Sequence, residues 1–251
     1  MHNLYINILN ENQKMLLKKK NMAILVVSAL IPALIAVLIS TVQNQAGVFV
    51  FRFSDYPIFM LGLFTNILLP LFVFMWTADT FAGEVGENTL KIVLVRPITR
   101  YKVYISKISA VGVFILITLM VAFISSMLAG FGLGEAASVT VGGLLHGLLI
   151  YIVAAVPMLA IAVAAAFIAQ FFKGSSGALM TSIFLYLFAR MLPMVVPDFA
   201  KISLFSYMDW HWLWLGNSVG VDKIGYALLI ILSSSIIFFA AGSYLFDTKN
   251  L

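Results

Sequence analysis

The sequence predicts an all-α integral membrane protein with six transmembrane helices. Three observations carry that prediction. The chain has 251 residues, of which 63% are hydrophobic and only 10% charged, whereas soluble domains are about 25% charged. Six apolar runs reach the ~20 residues that a spanning helix needs. Polar intervals separate these runs, and most of the basic residues fall in alternate intervals.

The spans are read as 23–42, 57–78, 108–130, 144–172, 175–196 and 224–246 of a single domain, 1–251. An N-terminal segment, 3–20, precedes them. Leu4, Tyr5, Ile8, Leu9, Met15 and Leu16 recur there at helical spacing, and Asn7, Asn10, Glu11, Lys14 and Lys18 take the other side. This pattern predicts an amphipathic helix lying in the interface, with Lys18–Lys20 near anionic head groups. No cleavable leader is expected, since the first apolar run is long enough to span and stay.

Pro32 in the first span and Pro157 in the fourth each remove a backbone donor and predict a bend. Thr65 and Asn66 are the polar residues of the second span and are expected to hydrogen-bond a neighbouring helix. The alanine-rich fourth span is suited to close packing. His146, alone near the far end of that span, reads as an interface residue.

The basic residues divide unevenly. Eleven lie on the side of the termini: Lys14, Lys18, Lys19, Lys20, Lys91, Arg96, Arg100, Lys102, Lys107, Lys173 and Lys249. Arg52, Lys201 and Lys223 lie on the other, and Arg190 falls within a span. The rule that inner loops are positive then places both termini and the 79–107 loop in the cytoplasm. The excess charge follows this topology, so nucleic acid is not expected as a partner; lipid is. With no cysteine, disulfides and thiolate metal sites are excluded.

The longest polar interval, Asp79–Lys107, reads DTFAGEVGENTLKIVLVRPITRYKVYISK. Residues 80–87 are expected to carry the second helix on into water, with Glu84 and Glu87 on one face. Asn88 tolerates the left-handed conformation that ends a helix. Thr89 is suited to cap a short helix over 90–95, whose Leu90, Val93 and Leu94 form an apolar ridge. Pro97 stops it, and Lys102 and Lys107 anchor the third span.

The run Glu84-x-x-x-Asn88-Thr89-Leu90-Lys91, then Arg96-Pro97-Ile98-Thr99-Arg100, then Lys107, resembles the permeases of the type-2 ABC exporter family. Those carry an acidic residue, a Gly-Thr-Leu step, a leucine-rich short helix, a Pro-(Ile/Val)-(Ser/Thr)-Arg turn and a lysine between the second and third of six spans. Asn88 departs from the usual glycine, and is the residue that best replaces it there. The six-span layout and the N-terminal helix extend the likeness along the chain.

The resemblance implies a transmembrane permease subunit of an ATP-driven exporter. Its coupling helix would dock in a separate ATP-binding cassette subunit through Glu84, Glu87, Thr89, Leu90, Val93, Leu94, Arg96, Pro97 and Arg100. The N-terminal helix would be the family's elbow helix. The chain would not be catalytic and would hold no cofactor, ATP and Mg being bound by the partner ATPase. Two copies, a homodimer on parsimony, would enclose the path. In this family the stretch between the last two spans closes the outer end, which makes Arg190, Trp210, Trp212 and Trp214 a candidate outer gate. The three tryptophans also suit an interfacial aromatic belt, and Arg190 also suits snorkelling to the surface. An amphipathic or hydrophobic cargo, such as an antimicrobial peptide or antibiotic, is expected, in the plasma membrane of a bacterium.

The sequence itself agrees with an external energy source. It has no Gly-x-x-x-x-Gly-Lys-(Ser/Thr) loop, no His-Glu-x-x-His motif, and almost no carboxylates within its spans to relay protons. A six-span serine protease of the rhomboid type is the rival reading, because Gly174-Ser175-Ser176-Gly177 fits its Gly-x-Ser-Gly pattern. That chemistry needs a histidine beside the serine. The last span has none, and His146 and His211 are expected at the far surface. A membrane scaffold without transport activity is the other alternative.

Overall fold

The computed structural model describes residues 2–46, 55–87, 89, 98–131, 133, 141–215 and 221–248. Those residues form helices and turns, with no strand among them. The chain runs through α1 (His2–Leu17), α2 (Lys19–Ala46), α3 (Asp55–Gly86), α4 (Arg100–Gly130), α5 (Val141–Ala169), α6 (Ser175–Val195), the one-turn α7 (Phe199–Ile202), two short 3-10 turns (Leu204–Tyr207 and Trp210–Trp214) and α8 (Val221–Thr248). Six of these helices are long and apolar enough to cross a membrane.

α5 sits at the centre. In its most apolar stretch 67% of the residues are buried, against 11% for α8. Its alanines explain the position: Ala154, Ala160, Ala162, Ala165 and Ala166 are buried and let the neighbouring helices approach. α4 packs beside it and also meets α1, α2 and α3. A ring of aromatic side chains fills the joints, as where Trp76 of α3 meets Phe114 of α4 edge-on at 5.7 Å.

Four details differ from the sequence reading. α4 begins at Arg100 rather than near Ile108. No helix breaker stands between Arg100 and Lys107, so the helix starts where Pro97 stops forbidding it. α5 ends at Ala169, three residues short of Phe172, ahead of the turn that carries Gly174. α1 and α2 divide at Lys18; beyond it the Asn21 side chain is buried and donates to the Met15 carbonyl at 2.7 Å, capping the end of α1.

The fourth difference is the largest. Residues 80–84 do not run into water. α3 stays packed as far as Glu84, with Thr80, Phe81, Ala82 and Glu84 all buried. A π-helical turn over Ala78–Gly83 widens the helix there. Phe81 sits 5.5 Å from the ring of Tyr104 and 6.2 Å from that of Phe246, so three helices share one aromatic knot. A second π turn, Phe64–Leu68, lies in the middle of α3. Such turns redirect side chains and concentrate at functional sites.

A candidate coupling joint at one end of the bundle and a re-entrant segment at the other

The joint is built around Lys107, which is wholly buried about two turns inside the start of α4. Its ammonium lies 2.6 Å from Glu84 Oε2 and 3.3 Å from Glu11 Oε2. Lys14 closes the group, 2.7 Å from Glu11 Oε1 and 3.6 Å from Glu84 Oε1. Two lysines and two glutamates thus alternate, and three helices meet through them: α1, α3 and α4. A lone buried lysine is costly, and mutual pairing with hydrogen bonds offsets that cost.

Two more contacts brace the joint. Asn7 of α1 donates to the Ser106 hydroxyl, both side chains buried, and Lys20 pairs with Asp79. α1 therefore turns its polar side inward. Asn7 and Glu11 are buried, while Tyr5, Leu9 and Leu16 are exposed. The expected amphipathic helix is present, but Asn7 and Glu11 face protein rather than water. The exposed apolar side is free to meet lipid.

Outside the spans, the electrostatics of α1 follow from this pairing. Burial favours protonation of Glu11, but Lys107 and Lys14 outweigh it and hold its carboxyl below the ordinary value of 4.5. Burial likewise opposes charge on Lys14; Glu11 and Glu84 prevail and raise it above 10.5.

The other residues assigned to the coupling loop divide as follows. Glu87 is exposed, just past the end of α3, and does not share the buried setting of Glu84. Thr89 donates its hydroxyl to the Glu84 carbonyl at 3.3 Å, in the last turn of α3; the short helix expected after it lies outside the described residues. Arg100 donates to the Asp247 carbonyl at 2.9 Å, at the last turn of α8. Leu90, Val93, Leu94, Arg96 and Pro97 lie outside the described residues, as does Asn88. Gly86 approaches the turn between α5 and α6 so closely that a Cβ there would sit 2.5 Å from the Lys173 carbonyl oxygen.

At the opposite end, residues 196–215 fold back between the helices. Three contacts measure how far. Trp210 Nε1 donates to the Val153 carbonyl at 3.0 Å, about 18 Å along α5 from Val141. Phe205 packs edge-on against Tyr186 at 5.5 Å, about 14 Å in from Val195. Asp209 accepts from Asn66 Nδ2 and, at 3.4 Å, from Thr65 Oγ1, about 17 Å along α3 from Asp55. The bilayer core is ~30 Å thick, so the segment is re-entrant. Thr65 and Asn66 do hydrogen-bond a neighbour, but it is this segment rather than a helix. The π turn in α3 is what presents them.

The candidate gate residues separate here. Trp210 is buried and stacked edge-on to Trp214 at 5.9 Å; Trp212 is 54% exposed. Arg190 is exposed, and its guanidinium approaches the Met208 sulfur at 3.7 Å. His211 is wholly buried. Ser176 begins α6 at the end opposite His211, with a 21-residue helix of about 30 Å between them, so no serine–histidine pair forms there. Among the described residues no three His, Asp or Glu side chains converge as metal ligands.

The sequence model of the ABC-2 family transporter proteins matches residues 7–190, which include α1, the joint and five of the six spans. The chain belongs to the ABC-2 transporter family. An uncharacterized protein of Bacillus subtilis (strain 168), YhcI, is 29% identical over 162 residues, covering 57% of this chain and 52% of that protein. The chain thus spans about half the length of the curated relative it matches. In this ABC-2 protein the joint falls inside the matched region and the re-entrant segment beyond it.

Proposed function

We propose that this multi-pass membrane protein is the permease subunit of an ATP-driven ABC exporter. It forms the cargo path as a dimer, two copies of this chain being the simplest arrangement. The end bearing the Lys107 joint faces the cytoplasm, in keeping with the eleven basic residues assigned to that side. A separate ATP-binding subunit, which carries ATP and Mg, docks on residues 84–100. The permease performs no chemistry itself.

The observation that carries this reading is the attachment of Glu84. In an ABC-2 protein, the first residue of the expected docking loop is fastened 2.6 Å from a buried lysine that opens the next span. A push on the loop is then delivered to α4 and α1 together, through charges in fixed contact. The apolar surfaces of the spans favour an amphipathic or hydrophobic cargo.

The test is a Leu90→Asp, Leu94→Asp double variant of the full chain, expressed with its ATP-binding partner subunit. Burying one leucine is worth about 1.5–3 kcal/mol, so loss of both lowers affinity well beyond about tenfold. The variant is expected to insert normally, to fail to co-purify with the ATPase and to stop export. Retention of both partner and transport removes the loop from the mechanism. A cysteine at exposed Thr99, protected from an impermeant maleimide in intact cells, checks the orientation; labelling there overturns it.

A further inference from the structure

Asp209 is a half-buried carboxylate with no lysine or arginine paired to it among the described residues. Asn66 and Thr65 both donate to its Oδ1. Lys201, the nearest by sequence, pairs with Asp198, and Arg190 meets the Met208 sulfur. A charge at membrane depth is costly, and its retention points to a use.

The surroundings indicate what that use is. Asp209 lines a cleft of about 620 Å³ with Ile58, Phe59, Leu63, Ile67 and Trp212, and with Asp55 at the end of α3. It also lines a second cleft of about 590 Å³, with Tyr207, Trp210 and Tyr226 and with Asp222 and Lys223, whose charges oppose each other. Apolar and aromatic walls with a few convergent polar groups are the usual form of a small-molecule site. An aromatic wall beside an unpaired carboxylate selects for a cation with apolar substituents, through ion pairing and cation–π attraction together.

We propose that the Asp209 cleft is a recognition site for hydrophobic cations, amphiphiles whose ammonium or guanidinium group pairs with Asp209 while their apolar part lies against Phe59 and Trp212. The proposal deepens the exporter reading and rests on it for the word cargo. Binding itself requires no ATPase, so the two can fail separately.

The experiment uses the full chain in phosphatidylcholine nanodiscs and two probes of nearly equal shape and opposite charge, tetraphenylphosphonium and tetraphenylborate. Binding is measured by calorimetry and corrected with empty nanodiscs. The wild-type chain is expected to bind the phosphonium at least about tenfold more tightly than the borate. Asp209→Asn, which keeps the acceptor for Asn66, is expected to remove that preference, and Asp55→Asn to reduce it. Trp212→Ala, at an exposed position, is expected to weaken the phosphonium without unfolding the protein. Equal affinity for the two ions, no phosphonium binding by the wild type, or an unchanged preference in Asp209→Asn overturns the site. Charge-selective binding in a chain that fails to recruit the ATPase would instead leave the site standing and remove the exporter reading.

Discussion

Trp210 donates its indole N–H to the carbonyl of Val153, the acceptor that Pro157, four residues on, leaves without a helical partner. The same device recurs in α3. Pro70 cannot serve the Asn66 carbonyl, and the Tyr186 hydroxyl donates to it from α6. In lipid an unmet carbonyl has no water to turn to. The two prolines therefore create sockets, and aromatic side chains from other elements fill them. One of these plugs belongs to the re-entrant segment and fixes its depth.

A double-mutant cycle tests the socket. Trp210→Phe keeps the ring and removes the donor, and is expected to cost about 1–3 kcal/mol by leaving a buried acceptor unmet. In a Pro157→Ala background the helix supplies its own N–H to Val153, so the same substitution is expected to cost much less. Equal costs in both backgrounds, measured from reversible unfolding in detergent, would show that the hydrogen bond is incidental.

The charge network at the other end gives a second prediction. Lys107→Met leaves Glu11 and Glu84 facing each other in a buried site and is expected to destabilise the protein by about 3–5 kcal/mol. Adding Glu11→Gln and Glu84→Gln is expected to restore part of the loss. The pH dependence follows from α1. Glu11 is held below 4.5, so its contribution is complete above that value and is lost as pH falls through its lowered value. Lys14 is held above 10.5, so its contribution is complete below that value and lost as pH rises past its raised one. A spin label on Gln13→Cys, on the exposed side of α1, is expected to keep constant mobility between these limits and to gain mobility in acid. Mobility that changes near neutral pH would contradict the pairing.

Two glycines give a third. Gly86→Ala drives a Cβ into the Lys173 backbone, which cannot swing aside as a side chain can. Gly225 in α8 has nothing within 4 Å of its would-be Cβ. Gly225→Ala is expected to be neutral or to stabilise by up to about 1 kcal/mol, as helix propensity dictates, whereas Gly86→Ala lowers the melting temperature. If both alanines behave alike, the two turns do not touch.

Much of the fold was legible because bilayer thickness imposes a length on every span, and composition alone reveals it. The break at Gly174, just ahead of α6, was legible in the sequence too. The joint was not. Glu11 meets Lys107 across 96 residues and Glu84 meets it across 23, and no periodicity within α1 or α3 encodes those distances. An amphipathic pattern tells which residues share a side, not whether that side meets water or protein; Asn7 and Glu11 were misread on that account. The available signal was the charge itself, an acid and a lysine three apart on α1 facing a lysine seven residues into α4. The tryptophans near 210 were legible as a group but not as individuals, because a 3-10 turn sends Trp210 inward and Trp212 outward.

The Lys107 network also fixes an order of events during synthesis. Glu11 and Glu84 both precede Lys107 in the chain, so both carboxylates reach the membrane first. A lysine buried without partners is costly. When α4 leaves the translocon, its lysine meets counter-charges already waiting on α1 and α3. Burial of Lys107 is thereby made conditional on correct placement of α1 and α3, since a chain whose first helix has strayed leaves that cation short of a partner.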